Sequence, residues 1–142
     1  MNMEPIKLTY TVDAGDMTTA GNASSQMKVA LRKLGFSPDI IRKAAICMYE
    51  GEINMVIHAN GGEAEVLITL DEITIRLKDT GPGIPDVEKA MSAGWSTASD
   101  AARDLGFGAG MGLPNMERCS DEMYIDTTVG VGTTVTMKIK AA

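Results

Sequence analysis

Hydrophobic residues follow two spacings along this chain, one typical of strands and one typical of helices. Five segments carry apolar residues at every second position, and we predict strands over residues 6–12, 63–70, 73–78, 124–127 and 133–139. The Asp71-Glu72 pair between the second and third of these segments predicts a β-hairpin. The chain should therefore contain a β-sheet in which the second and third strands are paired.

Two helices are predicted between the first and second strands, where apolar residues recur every three or four positions. The first should begin at a cap supplied by Thr18 or Thr19 and end at Gly35. The second should begin at Ser37 as its N-cap and end before residues 60–62, Asn-Gly-Gly, which we interpret as a helix terminator. The second helix is the longest predicted element.

The long helix is apolar on most sides, which is typical of a helix packed between other elements. Glu50 and Asn54 interrupt the apolar run, and at about 100° per residue they share one stripe with Cys47 and His58. Polar groups beside an apolar face cost free energy unless they have partners. The helix alone leaves two alternatives: polar residues at a solvated edge, or a functional pair.

Two glycine-rich segments follow the third strand. Residues 79–85 contain two glycines and two prolines, a composition that excludes a helix or a strand. We predict a short helix over residues 86–93 and a long loop, or lid, over residues 94–107. Alternate glycines then open a helix that contains Leu113, and these are Gly106, Gly108, Gly110 and Gly112.

This glycine run matches none of the common phosphate-binding fingerprints. It follows a loop instead of a strand, and Met111 stands where a Rossmann fingerprint has its third glycine. The chain has no Gly-Lys pair of a Walker A loop, and neither His-Arg-Asp nor Asp-Phe-Gly of a eukaryotic-type kinase. Two interpretations remain: structural turns, or backbone N–H groups arranged around an anion at a helix N-terminus.

Composition narrows the function classes. A chain of 142 residues fits one domain over residues 1–142, and its net charge of −6 argues against nucleic-acid or anionic-membrane surfaces. Its two cysteines form no zinc or disulfide pattern, which favours a reducing compartment. Neither a signal peptide nor a membrane span is visible. We therefore expect a soluble, cytoplasmic protein.

Four motifs stand in order along the chain: Glu50-x-x-x-Asn54, Asp79-x-Gly81-x-Gly83, the glycine run, and Gly132-Thr133-Thr134. Together they resemble the GHKL ATPase family of gyrase-type topoisomerases, heat-shock chaperones, sensor histidine kinases and mismatch-repair proteins. Residues 79–97 and 112–118 look similar to the small bacterial serine kinases of partner-switching systems, namely anti-sigma factors and switch kinases. The element order fits the GHKL (Bergerat) ATP-binding fold: a two-layer α/β (α+β) sandwich with helices on one face of a mixed, mainly antiparallel sheet.

The resemblance implies ATP and Mg²⁺ as cofactors and a role for each motif residue. Glu50 would be the general base, Asn54 would offer its side-chain oxygen to Mg²⁺, and Asp79 would accept a hydrogen bond from adenine. Gly83 would let the base approach closely, and Thr133 would support Asp79 or the base through a water. The residues implied in nucleotide binding are Asn54, Asp79, Gly81, Gly83, Ile84, Thr97, Gly106, Gly108, Gly110, Met111, Gly112, Leu113 and Thr133.

Two function classes stay open. The first is a protein serine/threonine kinase that phosphorylates a small antagonist protein, which the presence of Glu50 favours. The second is an ATP-gated binding module that sequesters a sigma factor or another target, with little or no kinase activity. The sequence leaves a homodimer open, and it leaves open the roles of His58 and of Arg103, the basic residue of the predicted lid.

Overall fold

The computed structural model of the protein describes residues 4–13, 21–58, 61–84, 86–91 and 112–141. The five strands are β1 (Ile6–Asp13), β2 (Gly61–Ile68), β3 (Glu72–Asp79), β4 (Glu122–Thr128) and β5 (Gly132–Lys140). The helices are α1 (Asn22–Lys33), α2 (Pro38–His58), α3 (Val87–Ala90) and α4 (Gly112–Cys119). All five predicted strands and the predicted β2–β3 hairpin are confirmed.

The strands form one sheet in the order β1-β2-β3-β5-β4, and every pairing among them is antiparallel. The predicted fold class, an α+β sandwich with a mainly antiparallel sheet, is thus confirmed. β5 inserts between β3 and β4, so that Asp79 at the end of β3 pairs with Thr133 at the start of β5. Two residues from separate motifs are thereby placed side by side.

The helices that the structure describes cover one face of the sheet. Alternate residues of the central strands are buried beneath them, as shown by Ile73, Ile75, Leu77, Met137 and Ile139. The opposite face is polar and carries ion pairs such as Lys7–Glu65, whose charged atoms lie 3.3 Å apart. A sheet with one dry and one wet face produces the period-2 alternation seen in the sequence.

α2 packs between α1 and α4 and crosses the sheet over β3. Its first turn begins as predicted, because the Ser37 hydroxyl accepts a hydrogen bond from the backbone N–H of Ile40 at 3.3 Å. At Gly51 the helix comes so close to the sheet that an added Cβ would lie 1.8 Å from Cδ1 of Leu77. A glycine inside a helix costs about 1 kcal/mol relative to alanine, and here it permits this close approach.

The predicted start of the first helix is wrong. Neither Thr18 nor Thr19 is its cap: α1 begins at Asn22, and its N-cap is Gly21, whose φ is 98°. A side chain from another helix satisfies the first turn instead, because the carboxylate of Glu52 on α2 accepts hydrogen bonds from its backbone N–H groups. The predicted end is confirmed, since α1 ends at Lys33 shortly before Gly35.

The predicted end of the long helix is confirmed, because α2 ends at His58 and the Gly61-Gly62 pair then begins β2. Gly62 has a φ of 158°, and an added Cβ would lie 2.1 Å from the carbonyl oxygen of Lys78. Gly62 is therefore needed for the close pairing of β2 with β3. The short helix α3 agrees with the predicted one over Val87–Ala90, and positions 92 and 93 of that prediction lie outside the described residues.

Candidate functional site

Asp79 and Thr133 form the floor of the candidate site at the edge of the sheet. Oδ1 of Asp79 accepts hydrogen bonds from the backbone N–H groups of Gly81, at 2.9 Å, and Thr133, at 3.2 Å. These bonds hold the half-buried carboxylate at the point where β3 ends. Its second oxygen, Oδ2, accepts no hydrogen bond from the described residues and is free to meet a ligand.

The loop after Asp79 is bound to the β4–β5 hairpin. The backbone N–H of Ile84 donates to the hydroxyl of Thr127 at 2.9 Å, and that of Gly130 donates to the carbonyl of Pro82 at 2.8 Å. Gly83 has a φ of 80°, and an added Cβ would lie 2.6 Å from the carbonyl oxygen of Thr128. The hairpin thus gives Gly83 a structural reason to be glycine, while its predicted role toward a base stays a prediction.

Thr133 supports Asp79 through its own main chain. Its backbone N–H donates directly to the carboxylate, while its hydroxyl lies 2.8 Å from that of Thr127. The same Thr127 hydroxyl receives the N–H of Ile84. The Thr127–Thr133 pair therefore connects the loop after Asp79, strands β4 and β5, and the Asp79 carboxylate into a single hydrogen-bonded unit.

Glu50 faces α4. Its Oε1 accepts a hydrogen bond from the side-chain amide of Asn115 at 3.2 Å, and Asn115 in turn accepts one from the Arg118 guanidinium at 2.6 Å. Oε2 of Glu50 accepts no hydrogen bond from the described residues, and the residue is only half-buried. One carboxylate oxygen is therefore oriented and the other is accessible, which suits a group that receives a proton.

Asn54 lies one helical turn beyond Glu50 and is half-buried. Its side chain makes no hydrogen bond with the part of the chain that the structure describes. Cys47, one turn before Glu50, is buried, and its thiol lies 3.7 Å from the carbonyl oxygen of Met116. Burial, and to a lesser degree the nearby Cys119, raises the pKa of Cys47 to about 12, so this thiol stays protonated. Cys47 therefore packs α2 against α4. Glu50 and Asn54, in contrast, have side chains able to contact a ligand.

The C-terminal half of α2 lies at the same edge of the sheet as Asp79. Val56 of α2 lines a cleft with Val12 and Asp13, at the end of β1. Asp13 pairs with Gly61 in β2, whose next residue pairs with Asp79. The structure therefore brings the helix motif and the strand motif to one end of the molecule, as the resemblance implied.

A magnesium ion would need ligands from the nucleotide at this site. Within the described ranges no three His, Cys, Asp or Glu side chains come together as a metal site. Mg²⁺ commonly takes only one or two protein oxygens and completes its octahedron with phosphate oxygens and waters. The unbonded amide of Asn54 fits that role, because it offers one hard oxygen.

The other predicted residues divide into two groups. Gly112 begins α4, Leu113 is buried in the core, and Gly81 and Ile84 belong to the loop beside Asp79. The lid with Arg103 and the side chain of His58 lie outside the described residues. So do five of the predicted binding residues, which are Thr97, Gly106, Gly108, Gly110 and Met111.

Sequence reasoning missed several residues that shape this region. Asn115, which orients Glu50, and Thr127, which ties the loop to the sheet, carry no local signal because their partners are far away in the chain. A signal did exist for Gly51 and Glu52. A glycine inside a long apolar helix indicates a close approach, and a carboxylate among Met48, Met55 and Val56 at helical spacing requires a partner.

A helix layer thus covers an antiparallel sheet, and an acidic strand end and a Glu/Asn helix face lie at the same end of the molecule. Residues 41–142 match the family described as "Histidine kinase-, DNA gyrase B-, and HSP90-like ATPase". The chain belongs to this family, which implies that it binds ATP.

Two curated relatives bear names of regulatory proteins. The serine/threonine-protein kinase RsbT of Bacillus subtilis is 30% identical over 73% of this chain and 75% of its own length. An anti-sigma F factor of Caldanaerobacter subterraneus subsp. tengcongensis is 37% identical, and the match covers 62% of each protein, slightly less than two thirds.

A solved structure supports the fold. The RsbU and RsbW domains of a Mycobacterium tuberculosis protein align with a TM-score of 0.61 and 18% identity, covering 94% of this chain and 32% of that one. At this identity the likeness concerns the fold alone. In the described part of the chain, no helix combines the length and the apolar character that crossing a membrane requires.

Proposed function

We propose that this chain is an ATP-dependent protein serine/threonine kinase of a partner-switching regulatory system in the cytoplasm. Its substrate would be a small antagonist protein, and a sigma factor or another target protein would be the second partner. Membership of the ATPase family supports the use of ATP. The similarity to a protein named as a serine/threonine kinase supports the reaction.

The observation that carries the proposal is the hydrogen bonding of the Glu50 carboxylate. Asn115 holds one oxygen of its carboxylate, and the other accepts no hydrogen bond from the described residues. During transfer, the serine hydroxyl oxygen of the substrate forms a bond to the γ-phosphorus, and the bond between that phosphorus and the β–γ bridging oxygen breaks. Glu50 takes the hydroxyl proton, and ADP leaves.

Nucleotide binding would use the two other polar groups at this edge of the sheet. Oδ2 of Asp79 would accept the adenine amino group, and the two backbone N–H groups on Oδ1 keep the carboxylate in place. Asn54 would contribute one oxygen ligand to Mg²⁺, which neutralises phosphate charge when bound. The alternate glycines before α4 would supply backbone N–H groups to the phosphates.

The alternative is an ATP-gated binding module with little or no kinase activity. Several relatives at 30–37% identity are named anti-sigma F factor, a name that describes binding to a sigma factor and does not mention catalysis. A binding module would need Asp79 and Asn54 for nucleotide but would not need Glu50 as a base. The two functions therefore differ in the effect of one residue.

Calorimetry with Mg·ATP tests the nucleotide site directly. Asp79→Asn should weaken ATP and ADP alike by about 10–100-fold, because a hydrogen bond to a charged group contributes roughly 1.5–3 kcal/mol. Thr74→Ala, on the solvent-exposed face of the same strand, is the matched control and should bind normally. Equal affinities of Asp79→Asn and the wild type would exclude Asp79 from the site.

A pull-down in the presence of ATP or ADP, followed by phosphosite mapping on the recovered protein, tests the reaction. A kinase should leave a phosphorylated serine or threonine on its partner with ATP and none with ADP. Nucleotide-dependent recovery without any phosphosite would favour the binding module.

A further inference from the structure

A groove of about 830 Å³ runs between α1 and α2. Among the described residues, those that line it belong to α1 and its N-cap Gly21, to α2 and to their connection. Its floor is apolar and consists of Phe36, Ile41, Ala45, Ile46 and Tyr49. We refer to this feature as the α1–α2 groove.

The rim of the groove is basic although the chain is acidic. Residues 21–50 contain five basic side chains and two acidic ones, a charge of +3 in a chain whose net charge is −6. Three of the five basic side chains line the groove: Lys28 and Arg32 from α1, and Arg42 from α2. A positive patch on a negative protein attracts a negatively charged partner.

Two of the three basic side chains on the rim lack an ion-pair partner in the described part of the chain. Lys28 and Arg32 lie one helical turn apart on α1, and neither forms an ion pair with any described residue. Arg42 is paired with Asp39 at 2.8 Å, but both side chains are more than half exposed and screened by solvent. The rim therefore offers positive charge that the described parts of the fold do not neutralise.

We propose that the α1–α2 groove is a docking surface for an acidic amphipathic helix of a protein partner. α1 has 12 residues and is about 18 Å long, which matches three to four turns of a partner helix. Recognition of this kind places apolar anchors at helical spacing into a groove. The apolar floor would receive the anchors, and acidic residues beside them would meet the basic rim.

The groove reaches the candidate site. Tyr49 and Glu50 line its end, where α1 begins and where Glu52 holds Gly21. A docked helix would therefore lie against the segment of α2 that carries Glu50. The docking proposal does not depend on kinase activity, because the charge and shape of the groove are independent of catalysis.

Two labelled peptides test the proposal on the full chain by fluorescence anisotropy. Both have about 16 residues with leucine at every third or fourth position, and one carries glutamate where the other carries lysine. The acidic peptide should bind at least tenfold more tightly than the basic one, and less tightly at 0.5 M salt because the rim charges are exposed. Amide NMR shifts should change along α1 and the first half of α2.

Two double variants locate the binding surface. Lys28→Glu with Arg32→Glu should weaken the acidic peptide by about tenfold or more and reverse the preference in favour of the basic peptide. Lys33→Glu with Lys43→Glu makes the same total charge change, with one substitution on α1 and one on α2, at positions that do not line the groove, and should leave the preference intact. Ala45→Trp, which fills the floor without altering charge, should abolish binding. Circular dichroism checks that each variant is folded.

Four outcomes would overturn the proposal. These are equal affinities for the two peptides, equal losses in the two double variants, shift changes away from α1 and α2, and normal binding by folded Ala45→Trp. A change of oligomeric state in Lys28→Glu with Arg32→Glu would instead assign the groove to a second copy of this chain. Preferred binding of vesicles with anionic lipid over the acidic peptide would assign it to a membrane.

Discussion

Two glutamates of α2, Glu50 and Glu52, lie on opposite flanks of the helix, and their surroundings differ. On the α1 side, Glu52 is 3% exposed and accepts three backbone hydrogen bonds, from Gly21 at 2.9 Å, Ala23 at 3.1 Å and Ser24 at 3.2 Å. On the α4 side, Glu50 is half-exposed and accepts one hydrogen bond from the described residues, donated by Asn115. Both oxygens of Glu52 thus accept hydrogen bonds, whereas Oε2 of Glu50 accepts none from the described residues.

This difference in hydrogen bonding bears on what each carboxylate can do. A buried carboxylate whose oxygens are occupied by N–H groups is a helix cap and cannot easily exchange protons with a substrate. A carboxylate held by one oxygen can accept a proton on the other. Residue type alone would not distinguish the two glutamates, whereas their hydrogen-bond partners do.

The largest expected effect is on the Glu50 flank. Glu50→Gln should reduce phosphoryl transfer to the recovered partner by about 10²–10⁴-fold, because a carboxamide cannot take the proton. Mg·ATP affinity by calorimetry should stay within a few-fold, and the melting temperature should hardly change. Near-normal transfer by this variant would remove Glu50 from catalysis, and the base would have to be another residue.

The second effect is on the Glu52 flank, where stability should fall and phosphoryl transfer should not. Glu52→Ala leaves buried N–H groups of α1 without acceptors, which should lower the free energy of unfolding by about 3 kcal/mol and the melting temperature by roughly 10 °C. The folded fraction should still transfer phosphate at the normal rate. Glu52→Gln, which retains one acceptor oxygen, should lose less stability. If Glu52→Ala melts like the wild type, the cap is not stabilising.

A third variant alters the residue between the two flanks. Gly51→Ala places a methyl group against Leu77, so α2 must move away from β3 or the leucine must change rotamer. Overpacking costs about 1–3 kcal/mol, and the gain in helix propensity offsets about 1 kcal/mol. Both stability and transfer should fall modestly, unlike either glutamate variant. A rise in stability with normal transfer would show that the close approach is not required.

The smallest expected effect concerns the orientation of Glu50. Asn115→Ala removes the one hydrogen bond to its carboxylate, which should reduce transfer by about 3–10-fold, equivalent to roughly 0.7–1.4 kcal/mol. Stability should be nearly unchanged because the site is partly solvated. Glu117→Ala, on the exposed side of the same helix, is the control and should have no effect. A loss as large as that of Glu50→Gln would give Asn115 a more direct role.

The local sequence pattern was sufficient to predict those features whose interacting residues lie close together in the sequence. The strand alternation, the hairpin between β2 and β3, the Ser37 cap and the helical stripe of Glu50 and Asn54 all depend on neighbours within a few residues. The same holds for Gly35, whose φ of 85° follows the end of α1. These features were predicted because a period or a cap is written into a few consecutive positions.

The sequence by itself determined which residues have the chemistry for a nucleotide site, and in what order along the chain they stand. The tertiary structure decided which of them meet. Glu52 reaches Ser24 across 28 positions, and Thr133 reaches Asp79 across 54. Such contacts depend on how α2 lies on the sheet and on the insertion of β5 between β3 and β4. No local period encodes that placement, because it results from burying the apolar faces of all elements together.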